Sequence, residues 1–281
     1  IKSSKCFSIR KTMEENATST AEILVNPFVA IATAPMNVKQ MLEKARTEGI
    51  EEIKVTKAIN KEIENLDNNN VLEYVDYENI PDKSKILRTF MFGVVKYKND
   101  GELDKLKFRC VVNGAMQKPG TYTRTASPVI SRQLLFLLLH WSCQPGWTRS
   151  NFDISAALCK IKMKDQDIYV ELDKSVWKNN KHKRYAKLLR VLYGLKQASR
   201  EFYIELKKIV TEGEIRIHED GPVMRFEATN LDGGIFSLVD ENDELVALIG
   251  GHVDDLLLVA KYLTIKVQLL AILKKRFGEV T

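Results

Sequence analysis

Asp254 and Asp255 are the only charges in an otherwise apolar run, Leu245 to Ala260, which reads LVALIGGHVDDLLLVA. An unpaired buried carboxylate is costly, so two of them in such a run call for a compensating cation. Neighbouring side chains on a straight strand point to opposite faces. The run is therefore expected to form two buried strands joined by a tight turn, with the carboxylates at its tip. Gly250 and Gly251 are expected to loosen the backbone just before it. A carboxylate pair presented in this way suits a hard cation, magnesium or manganese. The same residues also suit a plain solvated turn. A third carboxylate tests the metal idea, and Asp153, in Ser150-Asn151-Phe152-Asp153-Ile154, ends an apolar strand before an expected helix. Taken alone, Asp153 also reads as a helix N-cap. Three aspartates on two neighbouring strands are suited to hold two divalent ions about 3.5–4 Å apart. Such a pair activates a hydroxyl nucleophile and neutralises a leaving phosphate oxygen.

The strands and helices around these groups follow from the hydrophobic pattern. Leu87 to Tyr97 and Lys105 to Val112 read as strands around the turn Asn99-Asp100-Gly101. Pro35 opens a helix-like stretch, in which Ile53, Ile59, Ile63 and Leu66 fall near helical spacing up to Asp67-Asn70. Ser131 to Trp141 (SRQLLFLLLHW) reads as a strongly apolar core helix, and Trp147 to Ile154 as the strand bearing Asp153. Ile168 to Leu172 is a short strand, Ser199 to Val210 an amphipathic helix, and Met224–Glu227 with Gly234–Val239 a strand pair. Tyr262 to Phe277 is a closing amphipathic helix. Strands and helices mix without regular alternation, so the expected class is α+β with an antiparallel sheet packed on helices. Residues 1–34 read as a linker or mobile arm, 35–82 as a helical lead-in and 83–281 as the main domain.

Composition narrows the possibilities. With 281 residues, 44% of them hydrophobic, the chain can bury a sizeable core. It begins at Ile1, as expected of a piece of a longer product. No uninterrupted apolar stretch of about 18 residues occurs, so no membrane span is expected. The four cysteines, Cys6, Cys110, Cys143 and Cys159, lie far apart without metal-ligand spacing, which suits reduced thiols in an intracellular protein. Asn16-Ala17-Thr18 fits a glycosylation acceptor pattern and is read as a chance match, no secretory signal being expected. Net charge is only +6, but Lys174 to Lys208 holds eleven Lys and Arg against two Glu. That block is a candidate phosphate-backbone surface, or else a solvated lysine-rich loop and helix face.

From Arg88 to Phe277 the chain resembles the reverse transcriptase domain of copia-type retrotransposons, with its motifs in order. Phe92 to Gly114 (FGVVKYKNDGELDKLKFRCVVNG) is similar to the family's fingers hairpin, with its K-x-R-L-V-A-K-G pattern. Arg124 to Ile130 (RTASPVI) is similar to T-F-S-P-V, and Phe152 to Leu158 (FDISAAL) to M-D-V-K-T-A-F. Leu192 to Tyr203 (LYGLKQASREFY) is similar to L-Y-G-L-K-Q-S-P-R-x-W-Y, and His252 to Leu256 (HVDDL) to Y-V-D-D-I.

The resemblance implies fingers and palm of a polymerase that copies an RNA or DNA template from a primer, using deoxynucleoside triphosphates. Asp153 and Asp254 would ligate two Mg²⁺ (or Mn²⁺) ions, with Asp255 supporting. Lys107 and Arg109 would reach the triphosphate, and Gln197 the nucleotide or template. Tyr193 and Gly194 would shape the loop that holds Gln197. Partners would be template, primer, nucleotide and other parts of the element's polyprotein. The location would be intracellular, in a cytoplasmic virus-like particle or the nucleus. The family has a bulky aromatic five positions after Asp153, which excludes the ribose hydroxyl; this chain has Leu158. His252 stands where tyrosine is usual, Asn113 where lysine is usual, and Cys159-Lys160 where L-N is usual. The chain ends at Thr281, before the expected thumb. An alternative keeps the fold without the activity: a decayed element fragment that at most binds nucleic acid. A nucleotidyl cyclase or two-metal nuclease on a similar palm would explain the aspartates, but not Lys107, Arg109 or LYGLKQASREFY.

Overall fold

The computed structural model describes residues 31–98, 100–122, 124–164, 167–177 and 184–281. Residues 1–30, which include Cys6 and Asn16, lie outside the described residues, as do Asn99 and the lysine-rich segment 178–183.

In chain order the strands are β1 (Ile31–Ala32), β2 (Met36–Asn37), β3 (Leu72–Val75), β4 (Leu87–Tyr97), β5 (Leu103–Val112) and β6 (Thr148–Asp153). They continue with β7 (Tyr169–Glu171), β8 (Tyr185–Leu188), β9 (Glu227–Ala228), β10 (Ile235–Val239), β11 (Leu245–His252) and β12 (Asp255–Ala260). The helices are α1 (Val38–Thr47), α2 (Glu52–Asn68), α3 (Arg132–Trp141), α4 (Ala198–Glu212) and α5 (Leu263–Phe277). The class is mixed α+β, as expected.

Contacts divide the chain into two units, one holding residues 31–58 and 93–108, the other 59–92 and 109–281. In the first, α1 opens on a capping box. Asn37 Oδ1 accepts from the Gln40 N–H, and Gln40 Oε1 from the Asn37 N–H. The helix starts three residues after Pro35, because Asn37 supplies the cap. Residues 31–33 belong to this unit too: β1 pairs with the far half of β4, and Thr33 exchanges bonds with Val95.

The second unit contains a five-stranded antiparallel sheet in the order β6-β12-β11-β10-β9. β12 is buried from Leu256 to Ala260, and such an apolar run marks a strand covered on both faces. One helical face of α4 buries Ala198, Phe202, Leu206 and Val210; one face of α5 buries Ile265, Leu269, Leu273 and Phe277. This four-residue spacing makes a single stripe on each helix. The stripes meet where the Phe202 and Phe277 rings lie 5.7 Å apart, and Arg276 Nε reaches Glu205 at 2.7 Å. Elsewhere in this unit β7 runs parallel to the start of β4 and pairs antiparallel with β8, which pairs with β3.

Two helices differ from the sequence expectation. On α2 the buried side chains are Val55, Glu62 and Leu66, while Ile53 is 57% exposed. The face is rotated because Glu62 turns inward to accept from the Cys110 N–H at 3.0 Å. α3 is not a core helix: of its residues only Leu138 is fully buried, and Phe136 and Leu137 are exposed. Its inward edge packs on Ile130, Ile235, Leu257 and Val259, which leaves the opposite apolar edge outside.

Candidate active site

Across β6 and β12, Asp153 lies directly opposite Asp255. Cross-strand partners present their side chains on the same face, so the register brings the two carboxylates together. The last pair of the β11–β12 hairpin is His252 with Asp255, and the turn itself is Val253–Asp254. Asp254 is thus at the tip, as expected, while Asp255 is the first residue of the returning strand. Val253 has φ 55°, the left-handed region. A β-branched residue there is an outlier and costs roughly 1–3 kcal/mol.

Gly250 and Gly251 do not loosen this turn. Both sit inside β11, neither with a positive φ. A Cβ on Gly250 would stand 2.7 Å from Ile130 Cδ1, so its role is close packing.

Asp153 and Asp255 are exposed and Asp254 is half-buried. Partial burial and then the charges of Asp254 and Asp153 hold the Asp255 carboxyl above its usual range, with His252 opposing the rise. Carboxylates have the donor chemistry of a hard divalent cation, whose charge would relieve the repulsion felt by Asp255. Among the described residues, however, no three His, Cys, Asp or Glu side chains converge into a ready metal shell.

The other motifs close around this hairpin. Ile130, ending the RTASPVI segment, donates its N–H to Gly251 O at 2.9 Å, and Gly251 donates to Gly234 O at 2.8 Å. Ser127 Oγ donates to Ser199 O at 3.0 Å, and Arg200 Nη1 to Ala126 O at 2.9 Å. The end of β5 joins the LYGLKQ loop through the Val112 N–H and Tyr193 O, 2.7 Å apart. Gly194 makes that approach possible: it has φ 91°, and a Cβ there would lie 2.1 Å from Val112 O.

Arg109 places its guanidinium 4.8 Å from the centre of the Tyr193 ring, and burial pushes the Tyr193 phenol well above its usual range. Lys107 is exposed on β5, in the first unit, with buried Phe108 between it and Arg109 of the second. Leu158 is buried in the short 3-10 turn Ala157–Lys160, entered through Ala156 at φ 51°. Gln197 is also buried, just before α4.

Two features of the site left no signal in the sequence. Gln117, 2% exposed, is hydrogen-bonded to Gln197. The segment Glu279–Thr281 pairs with the chain around Asp153.

Most cations among the described residues of the basic block have partners within the fold. Lys174 and Arg184 pair with Glu171, and Lys187 with Asp167; Arg190 bonds Lys160 O and Lys196 bonds Gln117 O. A cavity of about 830 Å³ nevertheless gathers Lys85, Lys118, Lys164 and Lys187 against Asp167, the one acid among the described lining residues. No helix among the described residues is long and apolar enough to cross a membrane.

Residues 69–279 match the family model described as "Reverse transcriptase (RNA-dependent DNA polymerase)", and the chain belongs to that family. Within it the chain is of the copia type. It is 34% identical over 113 residues to the "Retrovirus-related Pol polyprotein from transposon RE1" of Arabidopsis thaliana, covering 40% of this chain and 8% of that polyprotein. It is 25% identical over 229 residues to the "Retrovirus-related Pol polyprotein from transposon TNT 1-94" of Nicotiana tabacum, covering 81% of this chain and 16% of that polyprotein. The chain thus matches only a small part of these relatives' length.

Proposed function

We propose that this chain carries the fingers and palm of an RNA-directed DNA polymerase, which adds deoxynucleotides to a primer 3′-hydroxyl. The carrying observation is the register that sets Asp153 against Asp255, with Asp254 beside them in the turn. The β6-β12-β11-β10-β9 sheet backed by α4 and α5 forms the palm, and the β4–β5 hairpin belongs to the fingers.

Asp153 and Asp254 would hold two magnesium or manganese ions, with Asp255 supporting. When bound, such ions activate the attacking hydroxyl and neutralise charge on the leaving oxygen. The primer hydroxyl attacks the α-phosphorus, and pyrophosphate leaves. Lys107 and Arg109 bind the triphosphate through charge-assisted bonds, and Arg109 is preorganised by its seat on Tyr193. Gln197 contacts the nucleotide, and Leu158 lies beneath its sugar. Positioning and charge stabilisation supply most of the catalysis in phosphoryl transfer.

Primer extension on a homopolymer template tests the reading. Wild type is expected to incorporate dNTP with Mg²⁺ or Mn²⁺, and Asp254→Asn to be inactive while folded. No incorporation by the wild type overturns the function; retained synthesis by Asp254→Asn overturns the site.

A further inference from the structure

Four polar residues are buried among those described, and two of them, Gln117 and Gln197, are bonded to each other. A buried amide must be satisfied, so the way it is satisfied fixes how it points.

The backbone N–H of Lys196 approaches one terminal atom of the Gln117 amide at 3.1 Å. A backbone N–H can only donate, so that atom is the oxygen. The other terminal atom is then the amino nitrogen, and it lies 3.4 Å from Thr121 O, which can only accept. Both independent partners give the same orientation. The same nitrogen donates to Gln197 at 2.9 Å, so the Gln197 atom it meets is the carbonyl oxygen. Gln197 is left with its amino group as the end not turned toward Gln117.

The clamp reaches further than one bond. Lys196 Nζ donates to Gln117 O at 3.0 Å and to Tyr122 Oη at 3.3 Å, and sits 4.8 Å from the centre of the Tyr122 ring. Main chain and side chain of Gln117 therefore hold both residues of the Lys196-Gln197 pair.

We propose that Gln117 is a positioning residue that locks the Gln197 amide with its NH₂ turned away from it, so that Gln197 meets the incoming nucleotide only as a hydrogen-bond donor. This inference rests on the polymerase reading for the role of Gln197. An NH₂ offered to the nucleotide suits its phosphate and hydroxyl oxygens; a carbonyl in its place would repel phosphate.

Gln117→Glu tests it with almost no change of shape. The carboxylate still accepts from the Lys196 N–H but cannot donate to Gln197, so the Gln197 amide should turn over and offer its oxygen. The KM for dNTP should rise about tenfold, the loss expected for one hydrogen bond to a charged group, with kcat within about twofold. Gln117→Met, of similar size and without hydrogen bonds, should raise KM as well. A second readout needs no catalysis: the side-chain amide protons in ¹⁵N NMR spectra of the wild type. Those of Gln117 should be protected from solvent exchange, and those of Gln197 should exchange and shift when dNTP is added. If wild type does not polymerise, the function reading fails, while the exchange pattern still decides the lock. If wild type polymerises and Gln117→Glu leaves the KM unchanged, or if the Gln197 protons are protected and those of Gln117 are not, the proposal is overturned.

Discussion

Asp153 and Thr281 exchange both of their backbone hydrogen bonds: the Asp153 N–H donates to Thr281 O at 2.8 Å, and the Thr281 N–H to Asp153 O at 3.1 Å. On its other side Asp153 faces Asp255 in the sheet. The end of β6 is therefore held between two chain segments, which fixes where a carboxylate at a strand terminus can stand. The Ser155 N–H adds a bond to Glu279 O at 3.2 Å, and Val280 is buried.

Removing residues 279–281 should accordingly loosen Asp153. Three backbone bonds at about 1 kcal/mol each, plus the lost burial of Val280, give roughly 3–5 kcal/mol. In a chain of this size the melting temperature should fall by roughly 6–15 °C. Differential scanning fluorimetry checks the stability, and primer extension should show synthesis falling more than the folded fraction does.

Asp255 offers a test by pH. Its carboxyl is held above the usual range, so it binds its proton more tightly folded than unfolded. The group is most favourable to folding below the unfolded carboxylate pKa of about 3.9, and that contribution is lost as pH rises through the folded value. Asp255→Asn should therefore be more stable than wild type at pH 7 without divalent ions, and the difference should close as pH falls toward 4. Urea midpoints from pH 7 down to 4.5 measure it; a gain that grows on acidification contradicts the repulsion.

Most of the hairpin was legible in the sequence, because a charge pair inside an apolar run has few places to go. The helical stripes of α4 and α5 were legible for the same kind of reason: their periods are local. Other features depend on partners distant in sequence. Glu62 faces inward because the Cys110 N–H, 48 residues away, needs an acceptor. α3 reads as core by composition, but its apolar surface exceeds what one sheet face can cover. Gly250 looked like turn chemistry, yet it answers to Ile130 packing against β11. Gln117 gave no signal, since a glutamine's meaning lies in what it bonds.

Gly194→Ala should be severe. Its φ of 91° is strained for any L side chain, and a Cβ would stand 2.1 Å from Val112 O, a backbone atom that cannot rotate away. The cost should be at least about 2 kcal/mol. Because Gly194 lies three residues before Gln197, the KM for dNTP should rise too. Thermal melts with steady-state kinetics on the variant check both effects.

Leu158 predicts loose sugar selection. It is buried, and the resemblance puts it where the family has a bulky aromatic. Wild type should incorporate ribonucleotides measurably, and Leu158→Phe should cut the ribo-to-deoxy ratio of kcat/KM by about tenfold, the discrimination a shaped apolar pocket supplies. An unchanged ratio would remove Leu158 from the sugar site.

The lysine-lined cavity predicts how nucleic acid binding responds to salt. Lys187 is already paired with Asp167, and Lys85 with Asp82 at 3.0 Å, so both are partly neutralised before any ligand arrives. Among the described residues Lys118 contacts only a hydroxyl, Ser84 Oγ at 3.1 Å, and Lys164 has a distant carboxylate, Glu205 at 4.0 Å. These two are the cations with most to gain from a phosphate. A cation that neutralises a phosphate releases a counterion, and each such contact adds about 0.7 to the slope of log affinity against log salt on a single strand. Lys118→Gln with Lys164→Gln should therefore weaken binding of a primed template and flatten that slope by about 1.4. The same double change at Lys85 and Lys187 should flatten it less, because a lysine already paired with an acid neutralises less phosphate charge and so releases fewer counterions. Fluorescence anisotropy of a labelled primed template across a salt series measures both slopes. Equal slopes for the two double variants would mean that the pairing with Asp167 and Asp82 does not govern which lysines meet the strand.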